Sequence, residues 1–237
     1  MKKEKPNIIE LVKLENRRKA LGRPFLCACD FLNDNGENPI ATLHAQNFVD
    51  HFEAYRKDGR GLLLFGPAGC GKTYLSAEIV NALTDQGYQC RYTSMLAIMN
   101  TLNTLSPESR TAFLEELCSL DLLVLDDFGK ESETWRSNDT LNLIVSACRE
   151  KHIPLIIATP LNQDDFVKEN ENSKRCYAIR QIRERCLPLV LPMPGSRRAR
   201  NIKSKAEAEA MLNKGLPCPA QQQVLPLEDK EEKKKDA

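Results

Sequence analysis

From Gly61 onward, short apolar runs alternate with longer stretches in which apolar residues return every three or four positions. The apolar runs fall at 61–65 (GLLLF), 88–93 (YQCRYT), 121–126 (DLLVLD), 154–159 (PLIIAT) and 188–191 (PLVL). Helices are predicted at about 72–86, 94–104, 107–119, 137–151 and 173–186. Strands that are apolar at nearly every position need cover on both faces. The pattern therefore predicts an α/β architecture, a five-stranded parallel sheet flanked by helices.

Upstream, "NIIELVKLENRRKAL" reads as a short, basic N-terminal helical arm within residues 1–24, ending near Gly22-Arg23-Pro24. "FLNDNGENPI" is loop-like, and a helix is expected over 41–57, stopped by Asp58-Gly59. Downstream, "PMPGSRRARN" leads to a helix, "KSKAEAEAMLNKG", and then to a Pro- and Gln-containing tail expected to be disordered. The expected organisation is an arm and loop over 1–40, a candidate partner-binding segment; a globular domain over 41–200; and a C-terminal helix with a charged tail over 201–237.

Composition changes this picture little. Of 237 residues, 41% are hydrophobic and 28% charged, an ordinary soluble balance. A net charge of +1 hides a basic N-terminus and a mixed-charge end, so charge alone gives no argument for nucleic acid. No apolar stretch approaches the roughly 18 residues of a membrane span, and no signal-like run opens the chain, so no membrane contact is expected. Nine cysteines, an odd number, sit singly in apolar patterns without paired C-x-x-C knuckles. That argues against a disulfide framework and for reduced thiols in the cytoplasm. Cys27 and Cys29 with His44 and His51 would supply four zinc ligands, but their spacing matches no common zinc module. The preferred reading is a partly buried strand followed by a helix with exposed histidines.

The chemistry lies between the first strand and the helix after it. "GPAGCGKT" (Gly66, Pro67, Ala68, Gly69, Cys70, Gly71, Lys72, Thr73) fits G-x-x-x-x-G-K-[ST] in full, in the required strand–loop–helix setting. The glycines let backbone N–H groups curl around phosphate oxygens, and the helix start adds its positive dipole end. Lys72 would neutralise the β and γ phosphates, and the Thr73 hydroxyl would ligate Mg²⁺. Cys70, beside a helix N-terminus, is either a reactive thiol or an ordinary loop position. The run "LLVLDDFG" delivers Asp126 to the C-terminal end of a strand, where open α/β sheets bind ligands, as the metal-side carboxylate. Asp127 follows as the group to polarise an attacking water. The bland reading of the pair is an acidic turn closing a strand.

"DGRGLLLFGPAGCGKTYLSAEIVNAL", "DLLVLDDFG" and "IPLIIATPLNQDDF" together resemble the helicase-loader and transposition ATPases of the DnaC/IstB type, within the AAA+ class of P-loop NTPases. The likeness covers roughly residues 41–200. It implies an ATPase that delivers a hexameric replicative helicase onto single-stranded DNA, self-associates, and grips its partner through the N-terminal segment. The chain also departs from that family. Where a polar residue usually helps hold the attacking water, Pro160 stands, with Thr159 the nearest hydroxyl. Where an inter-subunit arginine is usual, "YAIRQIRERC" places Gln181, with Arg180 and Arg183 beside it as substitutes. "GSRR" resembles the second sensor, with Arg198 the better match and Arg197 next to it. A solvated basic helix is the other reading of these arginines. The competing functions are an IstB-like transposition helper, an ATP-binding switch or adaptor that hydrolyses little, and a nucleotide kinase, for which no acceptor site stands out.

Overall fold

The computed structural model describes residues 8–132, 134–171, 175–193, 195–212 and 214, and leaves the side chains of 169–171 and 196–201 undescribed. Contacts divide the chain into two units, 1–194 and 195–237, a break that falls earlier than the 200/201 boundary expected from sequence.

Five strands form the sheet of the first unit: β1 (Gly61–Phe65), β2 (Cys90–Thr93), β3 (Leu122–Leu125), β4 (Leu155–Thr159) and β5 (Cys186–Val190). Their order is β2-β3-β4-β1-β5, and every pairing is parallel. Neighbouring side chains on a strand point to opposite faces, so each strand feeds two cores. Leu62, Leu64, Leu122, Val124, Ile156 and Ala158 enter one of them. There they meet α1 (Ile8–Leu21), a 3-10 turn (Pro24–Ala28), α2 (Pro39–Asp50), α3 (Phe52–Lys57) and α4 (Lys72–Asp85). Leu63, Phe65, Leu123, Leu125, Leu155 and Ile157 enter the other core. Its helices are α5 (Met95–Thr104), α6 (Pro107–Leu117), α7 (Trp135–Glu150), α8 (Gln163–Glu171) and α9 (Cys176–Arg185). The second unit contributes α10 (Gly195–Leu212). No helix among the described residues is long and apolar enough to cross a membrane.

Several boundaries differ from expectation, each for a local reason. The expected strand around Cys27 and Cys29 is a 3-10 turn started by Pro24, and both thiols are buried and point to the Arg23 and Phe25 carbonyls. The helix expected over 41–57 breaks at His51 into α2 and α3. Asn162 starts a helix absent from the sequence reading, α8: its Oδ1 accepts from Asp165 N at 2.8 Å, an N-cap followed by an acidic first turn. At the sheet's edge, Leu191 N donates to Phe65 O, so the N–H groups of alternate residues face β1 and position 188 faces outward. That position is Pro188, which has no N–H to offer.

The N-terminal arm docks on α4. Arg17 grips Asp85 with Nε and Nη2 at 3.0 and 2.7 Å and donates from Nη1 to Cys27 O at 2.9 Å. Asn81 Nδ2 donates to Leu26 O and Cys29 O. The first half of α1 stays in solvent, with Ile8, Ile9, Leu11 and Val12 exposed. Under the same contact, the Glu78 carboxyl is buried, and its Oε1 meets no hydrogen-bond donor. Burial first, then the charges of Asp34 and Asp30, push its pKa up from 4.5 to about 8.

An acid whose pKa is higher folded than unfolded prefers the protonated native state. Its contribution is therefore intact below about 4.5 and is lost as pH rises through about 8. Unfolding free energy of the wild type should fall by a few kcal/mol between about pH 5 and 8. In Glu78→Gln that part of the slope should disappear, as read by urea denaturation at a series of pH values; an equal slope in both proteins would refute the burial argument.

Candidate functional site

Residues 66–73 connect the buried end of β1 to the first turn of α4, and the local geometry explains their identities. Gly66, Gly69 and Gly71 have φ of 148°, 83° and 106°. A Cβ at Gly66 would stand 2.3 Å from Leu191 O and 2.7 Å from Cys70 Sγ, so the strand exit has no room for a side chain. Gly71 is the N-cap of α4 in a left-handed conformation, which bends the backbone around the helix start. Lys72 is buried, and its Nζ donates to Gly66 O at 2.6 Å and Pro67 O at 3.1 Å. Cys70 is fully buried with Sγ 3.7 Å from Lys72 Nζ, so the loop packs this thiol inward and does not present it as a reactive group.

Asp126 sits just past β3 and is 5% exposed. Its Oδ2 accepts from Thr73 Oγ1 at 2.7 Å and from the Tyr92 hydroxyl, which reaches across from β2. Burial, and then the adjacent Asp126 charge, push the Tyr92 pKa well above 10, so the phenol remains a donor. The other carboxylate oxygen, Oδ1, is buried with no protein partner. A buried anionic oxygen next to a threonine hydroxyl at a phosphate-type loop is the donor set a Mg²⁺ shared with phosphate oxygens needs. Thr73 and Asp126 would hold the metal, and the backbone of Gly66–Thr73 with Lys72 would hold the phosphates.

The remaining candidates are placed less uniformly. Asp127 is exposed, has φ of 56°, and accepts from Lys130 Nζ at 2.6 Å. Thr159 is fully buried, and its hydroxyl accepts the Leu161 amide at 3.3 Å, so it is committed locally. Pro160 lines a cleft of about 600 Å³ against Gly66 and Pro67. Asn162, the next polar side chain, is held by Asp165. On α9, Arg180 and Arg183 are exposed, whereas Gln181 is 3% exposed and points into the core. The side chains of Arg197 and Arg198 lie outside the described residues.

Three participants were missed from sequence. Tyr92 belongs to an alternating strand whose buried face could have been followed to Asp126. Glu131 and Arg175 form a buried ion pair behind the Asp127 turn, and nothing in their spacing signals it. On the other side of Asp126, a cleft of about 200 Å³ is lined by Tyr92, Ser94, Asp126 and Asp127 together with Gly22 and Arg23. The N-terminal segment thus forms part of the wall of the site.

A protein family described as IstB-like ATP binding protein matches residues 26–172. The replicative helicase loader DnaI of Bacillus subtilis is 25% identical over 156 residues, which cover 62% of this chain and 50% of that protein. The alignment thus spans about half the length of that curated relative. A protein of Sinorhizobium fredii named as an insertion-sequence ATP-binding protein is 29% identical over 107 residues, 45% of this chain and 36% of its own. A crystal structure of DnaI superposes with a TM-score of 0.60 at 23% identity, covering 71% of this chain and 94% of that one. The likeness shows that the two chains share a fold.

Removing the Tyr92 hydroxyl leaves Asp126 one donor short in a buried setting. Tyr92→Phe should lower unfolding free energy by about 1–3 kcal/mol, measured by urea denaturation. A variant as stable as wild type would show that the hydroxyl contributes nothing to holding Asp126.

Proposed function

The chain belongs to the family of IstB-like ATP binding proteins, and we propose that it is an ATPase that loads a replicative helicase onto single-stranded DNA. The observation that supports the nucleotide part is the bond from Thr73 to Asp126, which joins the helix after the loop to the end of β3. The loading role is supported by the relative named as a replicative helicase loader. Bound MgATP supplies the phosphoryl group and the metal charge. The Lys72 ammonium binds the terminal phosphates, Thr73 and Asp126 hold the metal, and Asp127 orients the attacking water. Such work belongs in the cytoplasm, where buried thiols such as Cys27, Cys29 and Cys70 stay reduced.

Turnover by the isolated chain is slow on this reading. Phosphoryl transfer needs an ordered water and positive charge arriving at the γ-phosphate. Pro160 has neither a polar side chain nor an N–H with which to hold a water, Thr159 and Asn162 are committed to their own loop, and Gln181 is buried. The missing charge comes from Arg180 or Arg183 of an adjoining copy, which makes self-association part of the mechanism. The exposed apolar end of α1 suits the helicase contact, since its other half reaches the Asp126 cleft through Gly22 and Arg23. A transposition helper is the second reading, favoured by the insertion-sequence relative. The two part on what the full-length chain retains in ATP: a replicative helicase, or a transposase.

Lys72→Ala should weaken ATP binding by tenfold or more, about the loss of one charge-assisted contact. Asp126→Asn should reduce Mg²⁺-dependent turnover more than binding. Specific activity should rise with protein concentration and should fall by about a thousandfold when Arg180 and Arg183 are both changed to Ala. Rapid hydrolysis by dilute protein, indifferent to both arginines, would sink the assembly reading. Replacing Gln181 by Arg should not restore activity, because the new cation would be buried at a core position.

A further inference from the structure

The turn after β3 is held from behind. Asp127 adopts φ of 56°, a left-handed conformation that side-chain-bearing residues rarely take. Phe128 N donates to Ala158 O at 2.9 Å, and Gly129 N donates to Glu131 Oε2 at 3.0 Å. The other oxygen of Glu131 accepts from Arg175 Nη1 at 2.7 Å. The two side chains are 5% and 2% exposed. Arg175 Nε donates to Asn138 Oδ1 on α7 at 2.6 Å, and the guanidinium lies over the Phe128 ring at 5.8 Å. Arg175 also begins α9, its carbonyl accepting from Ile179 N.

Stability alone does not account for this arrangement, because apolar residues of similar volume often stabilise a core as well as a buried ion pair does. What the pair adds is direction. Arg175 is fixed by α7 and by the Phe128 ring, and it fixes one oxygen of Glu131. The other oxygen is thereby aimed at the Gly129 amide, two residues after Asp127.

We propose that Glu131 and Arg175 are positioning residues for γ-phosphate hydrolysis, acting through the Gly129 amide to hold the Asp127 carboxylate at its working angle. The proposal rests on the reading of Asp127 as the water-orienting group. Neither residue touches nucleotide; their effect reaches the reaction only through the shape of the turn. Positioning of this kind is worth a great deal in rate, since a displacement of about 1 Å can cost about a hundredfold.

The test uses the full chain and the variants Arg175→Met, Arg175→Lys and the double Glu131→Met/Arg175→Met. Four quantities are measured: hydrogen exchange of the Gly129 amide, thermal midpoint, affinity for a fluorescent ATP analogue, and single-turnover hydrolysis at a concentration where the wild type is most active. In Arg175→Met the Gly129 amide should exchange about tenfold faster or more, as expected for a local opening. Analogue affinity should stay within about twofold while turnover falls about a hundredfold, the split expected when ground-state binding is intact. Arg175→Lys, which keeps the charge, should retain part of the rate. The double variant, with no unpaired charge, should recover the thermal midpoint of the wild type but not its turnover.

Recovery of turnover along with the midpoint would reduce the pair to a structural element and overturn the proposal, as would unchanged exchange at Gly129 in Arg175→Met. A wild type without hydrolysis at any concentration would instead overturn the hydrolysis reading. The Gly129 exchange would still decide whether the pair holds the turn.

Discussion

A carboxylate carried by an apolar strand to the end of a covered sheet is costly to desolvate, by several kcal/mol, unless donors meet it. Asp126 is met by two hydroxyls, Thr73 from the helix after the loop and Tyr92 from the neighbouring strand. These bonds tie α4, β3 and β2 together at one point. With the first turn of α4 fixed there, residues 66–71 must turn back from β1 within a short span, and the positive φ values at Gly66, Gly69 and Gly71 are the consequence. The spacing between loop and strand is therefore set by bonds inside the protein, before any ligand is considered.

How much of this the sequence revealed depends on the range of the interaction. The parallel sheet was legible because a run such as "GLLLF", apolar at every position, has to be covered on both sides, and its residues do divide between two cores. The loop was legible because backbone conformation and glycine are linked directly. Helix α8 could have been found from its Asn162 cap, but the apolar pattern there is too short to stand out. The pairing of Glu131 with Arg175 was not legible, because two charged residues 44 positions apart look like solvated surface until the fold brings them together. The burial of Gln181, which stands where the resemblance has an inter-subunit arginine, follows from the amphipathic face of α9, which turns it inward.

The N-terminal segment is more closely joined to the site than a charged arm need be. Arg17 and Asn81 fasten it along α4, the helix that starts at the phosphate loop, and Gly22 and Arg23 continue to the cleft beside Asp126. One end of α1 is exposed, and the other borders the cleft beside Asp126. A continuous helix of 14 residues therefore runs from solvent to that cleft.

Pro188 bears on what the β5 edge of this sheet can join. Open sheets recruit further strands through unpaired main-chain groups at their edges, the common route to irreversible aggregation. Of the outward positions at the β5 edge, position 188 lacks an amide hydrogen, and main-chain addition is discouraged there. Contacts made through side chains on helices differ from a ladder of backbone hydrogen bonds, because their complementarity can be tuned residue by residue and undone by charge.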